Sequence, residues 1–403
     1  MQSSNTIPSN NSQAKGPRIA GVIAEYNPFH NGHLHHLMQT RKSGADFIVV
    51  VMSTCFTQRG EMAVLPVKDR VLMALQSGAD AVFALPVAWS LRDAEHFALG
   101  GVSLLNGLGC SMLSFGSETS NLLQLRQTAE LLEHPPEAFQ QNLHAYLAAG
   151  LSYPAALSRA AGRIDPGFFS ILSSPNNTLS ICYLRQLLRL NSTMTPVCIL
   201  RESSYLDTRM DASSFPSAAG IRAALARGDW PSIEKALPES SLNILREAAL
   251  EGRIMQPGAL SMGILCTLRT MSPDDWKQLP DQSEGLPDRI RNAVKTAVSL
   301  EDLLDKACTK RYTRARVTRL IMQAFLHMHA STPPESGPSE ALLLGIRRES
   351  ECLLHHLGPI RIVGNASAIT AAWRHTEQSA WDLWALGCGL PMGSLYKHRI
   401  VRV

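Results

Sequence analysis

Short apolar runs alternate with segments that can form helices in the first half of the chain. Four runs have the length of buried β-strands: Ile19–Ala24, Phe47–Met52, Ala81–Leu85 and Met112–Phe115. Helices are predicted between them, over residues 33–43, 67–77 and 92–107. Strands that alternate with helices are typical of a parallel sheet with right-handed crossovers. The pattern therefore predicts an α/β fold.

Beyond residue 121 the pattern becomes mostly helical. Helices are predicted over Leu122–Glu133, Pro136–Leu151 and Leu179–Leu190. Asn176 or Asn177 is expected to cap the last of these helices. The last run with the character of a strand is Val197–Leu200. We expect it to extend the same sheet and to bring Arg201 to the edge where ligands bind.

A cluster of polar residues follows the first predicted strand. Glu25–His33 contains His30 and His33 on either side of an Asn-Gly pair, and a predicted helix follows directly. The first turn of a helix offers unpaired N–H groups and the positive end of its dipole, which favour phosphate. Imidazoles placed there can donate hydrogen bonds to phosphoryl oxygens. Gly116–Glu118 follows the fourth strand, so its loop is expected to meet the first loop in one nucleotide pocket.

Length and composition restrict the class of protein. The 403 residues suffice for two or three domains, and 45% hydrophobic with 18% charged residues is ordinary for a globular protein. The net charge of +4 permits nucleic-acid binding without arguing for it. Eight scattered cysteines without a Cys-x-x-Cys pair argue against a zinc ribbon and fit reduced thiols. No apolar run reaches the roughly 18 residues of a membrane helix, so a cytoplasmic protein is expected.

A basic segment near residue 310 is the main nucleic-acid signal. Residues 306–319 contain six basic side chains and no acidic one. Apolar residues recur at helical spacing from Val317 to Met328, so one face of this helix is expected to pack inward. The basic side chains would then point to solvent or to RNA phosphates, and Tyr312 could stack on an unpaired base. A merely solvated helix start is the alternative.

Several segments together resemble one family. The string from Gly21 to Leu34 resembles the nucleotide-binding signature of the bacterial tRNA(Met) cytidine acetate ligases, a branch of the HIGH-motif nucleotidyltransferase superfamily. The likeness is dense over residues 18–120 and ordered to about residue 320. Further matching segments are Met52-Ser53, Gln58–Gly60, Ala74–Asp80, Leu85-Pro86, Phe115–Glu118, Pro175–Asn177 and Lys310–Thr313.

The resemblance implies an ATP-dependent ligase. Acetate and ATP would give acetyl-adenylate and pyrophosphate, and the acetyl group would pass to N4 of the wobble cytidine of elongator tRNA(Met). The implied partners are ATP, acetate and tRNA(Met), with Mg²⁺ on the phosphates, no metal held by the protein and no membrane. The implied catalytic residues are His30 and His33. The residues implied to bind ATP are Gly21, Val22, Ile23, Ala24, Glu25, Tyr26, Asn27, Pro28, Phe29, His30, Asn31, Gly32, His33, Leu34, Gly116, Asn176 and Arg201. The residues expected to bind tRNA are Lys310, Arg311, Tyr312, Arg314, Arg316 and Arg319.

The same resemblance implies three regions of the chain. Residues 1–17 are polar and are expected to be a disordered tail rather than a signal peptide. Residues 18–225 would form a Rossmann-like parallel-sheet nucleotidyltransferase domain that binds ATP. Residues 226–403 would form a mostly α-helical C-terminal region that binds tRNA.

Some candidate residues have structural alternatives. Asn176 could be only a helix cap, and Arg201 only a salt-bridge residue. Lys68 and Arg70 resemble a basic pair of the same family. They could neutralise the charge of pyrophosphate, and the alternative is that they lie on an exposed helix face. Glu118 could accept hydrogen bonds from a ribose or help to hold a metal.

The sequence departs from the family pattern at one point. Leu206 stands where relatives tend to have a histidine, so the role of that imidazole is in doubt here. Ser217 and Arg222 lie in a Ser-rich, Ile-Arg element and could contact phosphate, with a helix N-terminus as the structural alternative.

Two other functions remain open from the sequence. An adenylyltransferase acting on a small phosphorylated cofactor precursor would share the histidine site, but it would not need a basic helical half. A non-catalytic RNA-binding protein with a degraded nucleotide site is the other alternative. The intact His30 and His33 argue against it, and Leu206 argues for it.

Overall fold

The computed structural model describes residues 16–201, 217–256, 258–282, 285–330 and 336–403. Within these ranges the chain forms one eight-stranded sheet, nineteen α-helices and two 3-10 helices. The strands are β1 (Ile19–Ala24), β2 (Phe47–Ser53), β3 (Ala81–Leu85), β4 (Met112–Ser117), β5 (Thr195–Leu200), β6 (Glu340–Ile346), β7 (Arg361–Val363) and β8 (Val401–Arg402).

The helices lie between these strands in the described part of the chain. Those before β5 are α1 (Asn31–Lys42), α2 (Val67–Gln76), α3 (Val87–Ser90), α4 (Ala94–Gly107), α5 (Leu122–Glu133), α6 (Glu137–Ala148), α7 (Tyr153–Ile164), α8 (Pro166–Leu172) and α9 (Pro175–Arg189). Those after it are α10 (Ala218–Arg227), α11 (Trp230–Ala236), α12 (Glu239–Leu250), α13 (Ser261–Thr270), α14 (Pro273–Lys277), α15 (Leu286–Val294), α16 (Leu300–Ala307), α17 (Arg314–Phe325), α18 (Trp373–Gly387) and α19 (Ser394–Lys397). The 3-10 helices are Arg348–His355 and Ala366–Ala368.

The first five strands form the parallel half of the sheet, in the order β5-β4-β1-β2-β3. Six of the seven residues of β2 and all five of β3 are buried. A strand buried on both faces reads as a continuous apolar run, which is why the sequence pattern located these strands. The expected α/β fold is confirmed, and β5 joins the sheet beside β4 as expected. The strand order reverses between β1 and β4, which is where ligands bind in such sheets.

The C-terminal residues return to this sheet. β6 runs antiparallel to β3, and β7 and β8 pair with β6. The interpretation of Val197–Leu200 as the last strand was therefore wrong. Every residue of β6 is buried, and a short apolar run of this kind cannot be distinguished from a buried helix segment by its periodicity. The domain boundary expected at residue 225 stays a prediction.

Helices dominate between β5 and β6. α13, α15 and α16 pack on α17, in which most residues from Val317 to Phe325 are buried. Burial from Val317 to Phe325 therefore extends round most of α17, beyond the single face that its spacing predicts. α18 packs on α3 and buries Trp373, Trp381 and Trp384. No helix in the described part of the chain is long and apolar enough to span a membrane.

Candidate active site

A cavity of about 220 Å³ lies at the point where the strand order reverses. The loop after β1 contributes one wall, and the end of β4, the start of α9, Arg201 and α10 contribute the others. The two loops that the sequence places at this edge therefore do meet. The cavity brings together residues that were predicted to bind ATP and that lie far apart in the sequence. They include His30, His33, Gly116, Asn176 and Arg201.

Some residues of the string from Gly21 to Leu34 form the turn itself and do not line the cavity. Val22 to Asn27 line the cavity. Phe29 is completely buried, and the Asn31 side-chain amide donates to the Lys235 carbonyl at 3.0 Å, which ties the turn to α11. The members of the predicted ATP-binding set that do not line the cavity are Gly21, Pro28, Phe29, Asn31, Gly32 and Leu34.

His30 and His33 fix each other at the start of α1. His30 is the N-cap, and its Nδ1 accepts a hydrogen bond from the Gly32 N–H at 3.1 Å. Nδ1 of His33 accepts one from the His30 N–H at 3.2 Å. A ring nitrogen that accepts carries no proton, so the proton of each neutral ring lies on Nε2. The expectation of free N–H groups in this turn was wrong for Gly32, since His30 occupies that donor. Each imidazole instead offers an Nε2–H.

Burial keeps the imidazoles of this site neutral. Burial, together with the nearby Arg201 guanidinium, lowers the pKa of His30 to about 3 and that of His36 to about 4. The pKa of His33 is also well below its ordinary value, because of burial and of the charges around it. The site therefore combines neutral imidazole donors with positive charge on arginine.

His36 was missed in the sequence analysis although it lines the same cavity. Its Nε2 lies 2.9 Å from the Ser114 hydroxyl of β4. Residues three apart lie on the same face of a helix, so the spacing from His33 to His36 was a usable signal. The contact joins α1 to the strand on the other side of the cavity.

Arg201 occupies the space beside Gly116. Its backbone N–H donates to the Ser117 carbonyl at 2.8 Å, which continues the pairing of β5 with β4. A Cβ on Gly116 would lie 3.1 Å from Cγ of Arg201, closer than ordinary contact. The missing side chain therefore makes room for Arg201.

Glu118 organises the start of α9. The N-cap of this helix is Ser174, so the prediction of an Asn176 or Asn177 cap was wrong. The Glu118 carboxylate accepts from the backbone N–H of Asn176 at 3.2 Å, from that of Asn177 at 2.8 Å, and from Nδ2 of Asn176 at 2.6 Å. A carboxylate is favourable there because helix N-termini carry partial positive charge. Glu118 thus acts as a cap, a role that the sequence analysis did not consider.

Helix α10 closes the cavity. The Ser217 hydroxyl accepts from the Gly220 N–H at 3.1 Å, so this serine caps the helix. Arg222 donates to the Asn27 carbonyl at 2.8 Å and forms an ion pair with Glu61. Both residues line the cavity. Leu206, where relatives tend to have a histidine, lies outside the described residues.

Glu25 is a second acidic group of the cavity. Its carboxylate accepts from the Gln58 N–H at 2.7 Å, which joins the loop after β1 to the loop after β2. Burial raises its pKa.

The basic pair on α2 is not a phosphate site. Arg70 is completely buried and donates to the carbonyl of Glu25 at 2.8 Å and to that of Ser53 at 2.9 Å. It also bonds the carbonyls of Leu65 and Thr54. The expectation that it could neutralise pyrophosphate was therefore wrong, since its donors hold the strand ends together. Lys68 is exposed and does not line the cavity.

The basic segment is only partly exposed. Lys310, Arg311 and Arg314 are exposed, whereas the side chain of Arg319 is 12% exposed and pairs with Asp281. The ring of Tyr312 is buried, with two guanidinium groups 5.7 Å from its centroid. The expectation of solvent-facing side chains was therefore wrong for Arg319 and Tyr312. The partners of Arg319 are Asp281 and the Gln58 carbonyl, which are distant in sequence, so a local count of charges does not reveal them.

The described residues contain no group of three or more His, Cys, Asp or Glu side chains placed to hold a metal ion. Residues 18–385 match the sequence model of a family described as HIGH Nucleotidyl Transferase. The fold and the cavity at the reversal point are those of this class of nucleotide-binding protein.

Relatives with known names identify the family within this class. A protein from Acetivibrio thermocellus named tRNA(Met) cytidine acetate ligase is 36% identical over 84% of this chain and 85% of the relative. A protein of the same name from Caldicellulosiruptor saccharolyticus is 38% identical over 77% of each chain. The structure of Thermotoga maritima TmcAL bound with alpha-thio ATP has a TM-score of 0.86, with 27% identity over 96% of this chain and 100% of that one. Its apo form has a TM-score of 0.88. This chain therefore belongs to the tRNA(Met) cytidine acetate ligase family.

Proposed function

We propose that this protein activates acetate with ATP and transfers the acetyl group to N4 of the wobble cytidine of elongator tRNA(Met). The observation that carries the proposal is the cavity at the reversal of strand order, where His30, His33 and Arg201 come together. Relatives that bear the name tRNA(Met) cytidine acetate ligase support it. The related structure with alpha-thio ATP supports ATP as the nucleotide.

Acetate needs activation because its oxygen is a poor leaving group. In the first step an acetate oxygen attacks the α-phosphorus of ATP, the bond from that phosphorus to the bridging oxygen breaks, and pyrophosphate leaves with the electron pair. Nε2–H of His30 and of His33 would donate to the phosphate oxygens, and Arg201 would stabilise their negative charge. Neutral imidazoles suit this role, since each keeps a fixed donor at neutral pH.

In the second step the N4 lone pair of cytidine attacks the acyl carbon of acetyl-adenylate. The bond from that carbon to the phosphate oxygen breaks, AMP leaves with the electron pair, and one amine proton passes to water. An unpaired base in an anticodon loop can be turned out into a pocket.

We expect Mg²⁺ to accompany the triphosphate, as is usual for ATP. The described residues offer no ligand group of their own for it, so phosphate oxygens and water would hold the ion. No step above depends on its position.

The nucleotide site would belong to residues 18–225 and the tRNA contacts to residues 226–403. After the correction for Tyr312 and Arg319, the exposed side chains of Lys310, Arg311 and Arg314 are the best placed to contact RNA phosphates. Arg316 is half-buried beside them. We propose a cytoplasmic location, where tRNA and ATP are both present.

One assay tests the proposal: purified protein with ATP, labelled acetate and tRNA(Met). Label in tRNA together with acetate-dependent exchange of pyrophosphate into ATP is the expected result. Exchange without label in tRNA would leave only the first step, and a lack of any dependence on acetate would contradict the ligase function. Replacing His30 and His33 by Ala should abolish exchange while tRNA binding persists. Retained exchange would show that the site is misplaced.

A further inference from the structure

A second and larger cavity adjoins the nucleotide cavity. Its volume is about 650 Å³, within the range of about 300–1,000 Å³ that is typical of small-ligand sites. It lies between the loop after β2 and helices α10, α11, α12, α16 and α17. Arg59, Glu61 and Arg222 line both cavities and form the partition between them. A group held in the larger cavity could therefore reach the nucleotide cavity across this partition.

The larger cavity differs in chemistry from the nucleotide cavity. It contains no imidazole, and most of its wall is apolar. Trp230, at the start of α11, is half-buried and contributes an indole ring to the lining of the cavity. Any nucleobase can stack favourably on such a ring, because every base has an aromatic face. The apolar side chains of the wall include Met62, Leu225, Met255, Leu300, Leu304 and Met322.

Two ion pairs lie among the lining residues. Arg222 pairs with Glu61 at the partition, and Arg314 contacts Glu301 at 2.6 Å. Carboxylates accept hydrogen bonds from the exocyclic amine of cytosine, and a half-exposed arginine such as Arg314 can contact a phosphate. The cavity thus offers a carboxylate for an amine beside the nucleotide cavity and, in Arg314, a half-exposed cation among its other lining residues.

The basic segment supplies part of the wall. Arg314, Ala315 and Thr318 of α17 line the cavity, and exposed Lys310 and Arg311 directly precede this helix. An RNA strand lying on these side chains could therefore place one nucleotide in the cavity without crossing the body of the protein.

We propose that this adjoining cavity binds the acceptor cytosine base, turned out of its loop and stacked on Trp230, with N4 directed at the partition of Arg59, Glu61 and Arg222. The proposal rests on the function proposed above, because it assigns the second substrate of that reaction to a place beside the first.

The test uses two variants of the full-length protein and two assays. Trp230→Ala removes the stacking surface, and Ala315→Phe fills part of the cavity from α17. Neither residue lines the nucleotide cavity, so pyrophosphate exchange serves as the internal reference. Transfer of acetate to tRNA should fall about 10- to 100-fold relative to exchange in Trp230→Ala, and Trp230→Phe should restore part of it. Ala315→Phe should show the same selective loss.

Ala145→Phe is the matched control, because Ala145 is an exposed helical alanine on α6 that lies outside this cavity. It should transfer acetate as the unchanged protein does. If Trp230→Ala and Ala315→Phe also transfer normally, the cavity assignment is wrong while the proposed function stands. If Ala315→Phe raises the KM for acetate in the exchange assay, the cavity holds the acid rather than the base. If the unchanged protein transfers no acetate to tRNA, the proposed function fails first.

A crosslink gives a readout that is independent of activity. The probe is tRNA(Met) with 5-iodocytidine at the acceptor position, irradiated on the protein and mapped by peptide mass. Crosslinks are expected to the segments that line the cavity, which are residues 59–64, residues 222–256, α16 and α17, and Ala315→Phe should reduce them. Crosslinks confined to any other part of the chain would overturn the proposal.

Discussion

His30, His33 and His36 share a property that sets the pH behaviour of the site, since each is neutral well below pH 7. The His36 imidazole takes up a proton near pH 4 in the folded protein and near pH 6.5 when unfolded. The unfolded state therefore binds more protons between these values, so the imidazole lowers stability as the pH falls from about 6.5 to about 4 and has no effect above that range.

The first prediction concerns this pH dependence. His36→Asn should lose less unfolding free energy than the unchanged protein between pH 7 and pH 5, by about 1–2 kcal/mol. The measurement is urea unfolding at both pH values. An equal loss in the two proteins would show that His36 is not held neutral by the fold.

The second prediction concerns Arg70, whose guanidinium donates to four backbone carbonyls at the ends of the strands and in the loops that follow them. Arg70→Met should lower the free energy of unfolding by about 3 kcal/mol or more, because unsatisfied buried acceptors cost about 1–3 kcal/mol each. Denaturant unfolding measures it. Lys68→Met, an exposed neighbour on the same helix, is the control and should change stability by less than about 0.5 kcal/mol. Similar effects of the two substitutions would contradict the bracing role.

At the scale of elements, Glu118 couples the end of β4 to the start of α9. It holds Asn176 and Asn177 by three hydrogen bonds, so the position of Asn176 in the cavity depends on a different loop.

The third prediction follows from this coupling. Glu118→Gln should reduce stability by about 1 kcal/mol through loss of the charged cap, and should raise the KM for ATP in the exchange assay. Glu130→Gln on α5, which is exposed, should change neither quantity. An unchanged KM for ATP in the Glu118→Gln protein would show that the cap at the start of α9 does not affect ATP binding.

The parallel strands were predictable because their runs are apolar throughout and end in polar turns, as Ile19–Ala24 does before Glu25. Partners across the chain were not predictable in the same way. Glu118 and Asn176 are 58 residues apart, and Arg222 and Asn27 are 195 apart. A local pattern records that such a residue is polar, but only the packed fold decides which group it meets. Arg70 and Arg319 were misread for this reason.

At the scale of the whole molecule, the C-terminal residues complete the sheet and support the loops at its carboxyl edge. The Glu377 carboxylate of α18 is buried and accepts from the Thr54 hydroxyl after β2, from the Trp381 indole, and from the Val87 N–H at 2.6 Å. This contact gives α18 a structural role beside the tRNA binding that was expected of residues 226–403.

The fourth prediction tests that support. Glu377→Ala should lower the free energy of unfolding by about 2–4 kcal/mol, because it leaves a buried N–H without a partner and creates a void. Thermal and denaturant unfolding give the value. His375→Ala, exposed on the same helix, should leave stability nearly unchanged. A marginal effect of Glu377→Ala would mean that α18 is attached mainly by its tryptophans.

The central claim is that acetate is activated as acetyl-adenylate, and the path of its oxygen tests this most directly. The purified protein is given ATP, tRNA(Met) and acetate labelled with ¹⁸O in both oxygens, and AMP and pyrophosphate are analysed by mass spectrometry. Attack of acetate on the α-phosphorus predicts one ¹⁸O atom in AMP and none in pyrophosphate. Label in pyrophosphate or inorganic phosphate, or acetylated tRNA formed with unlabelled AMP, would contradict the account.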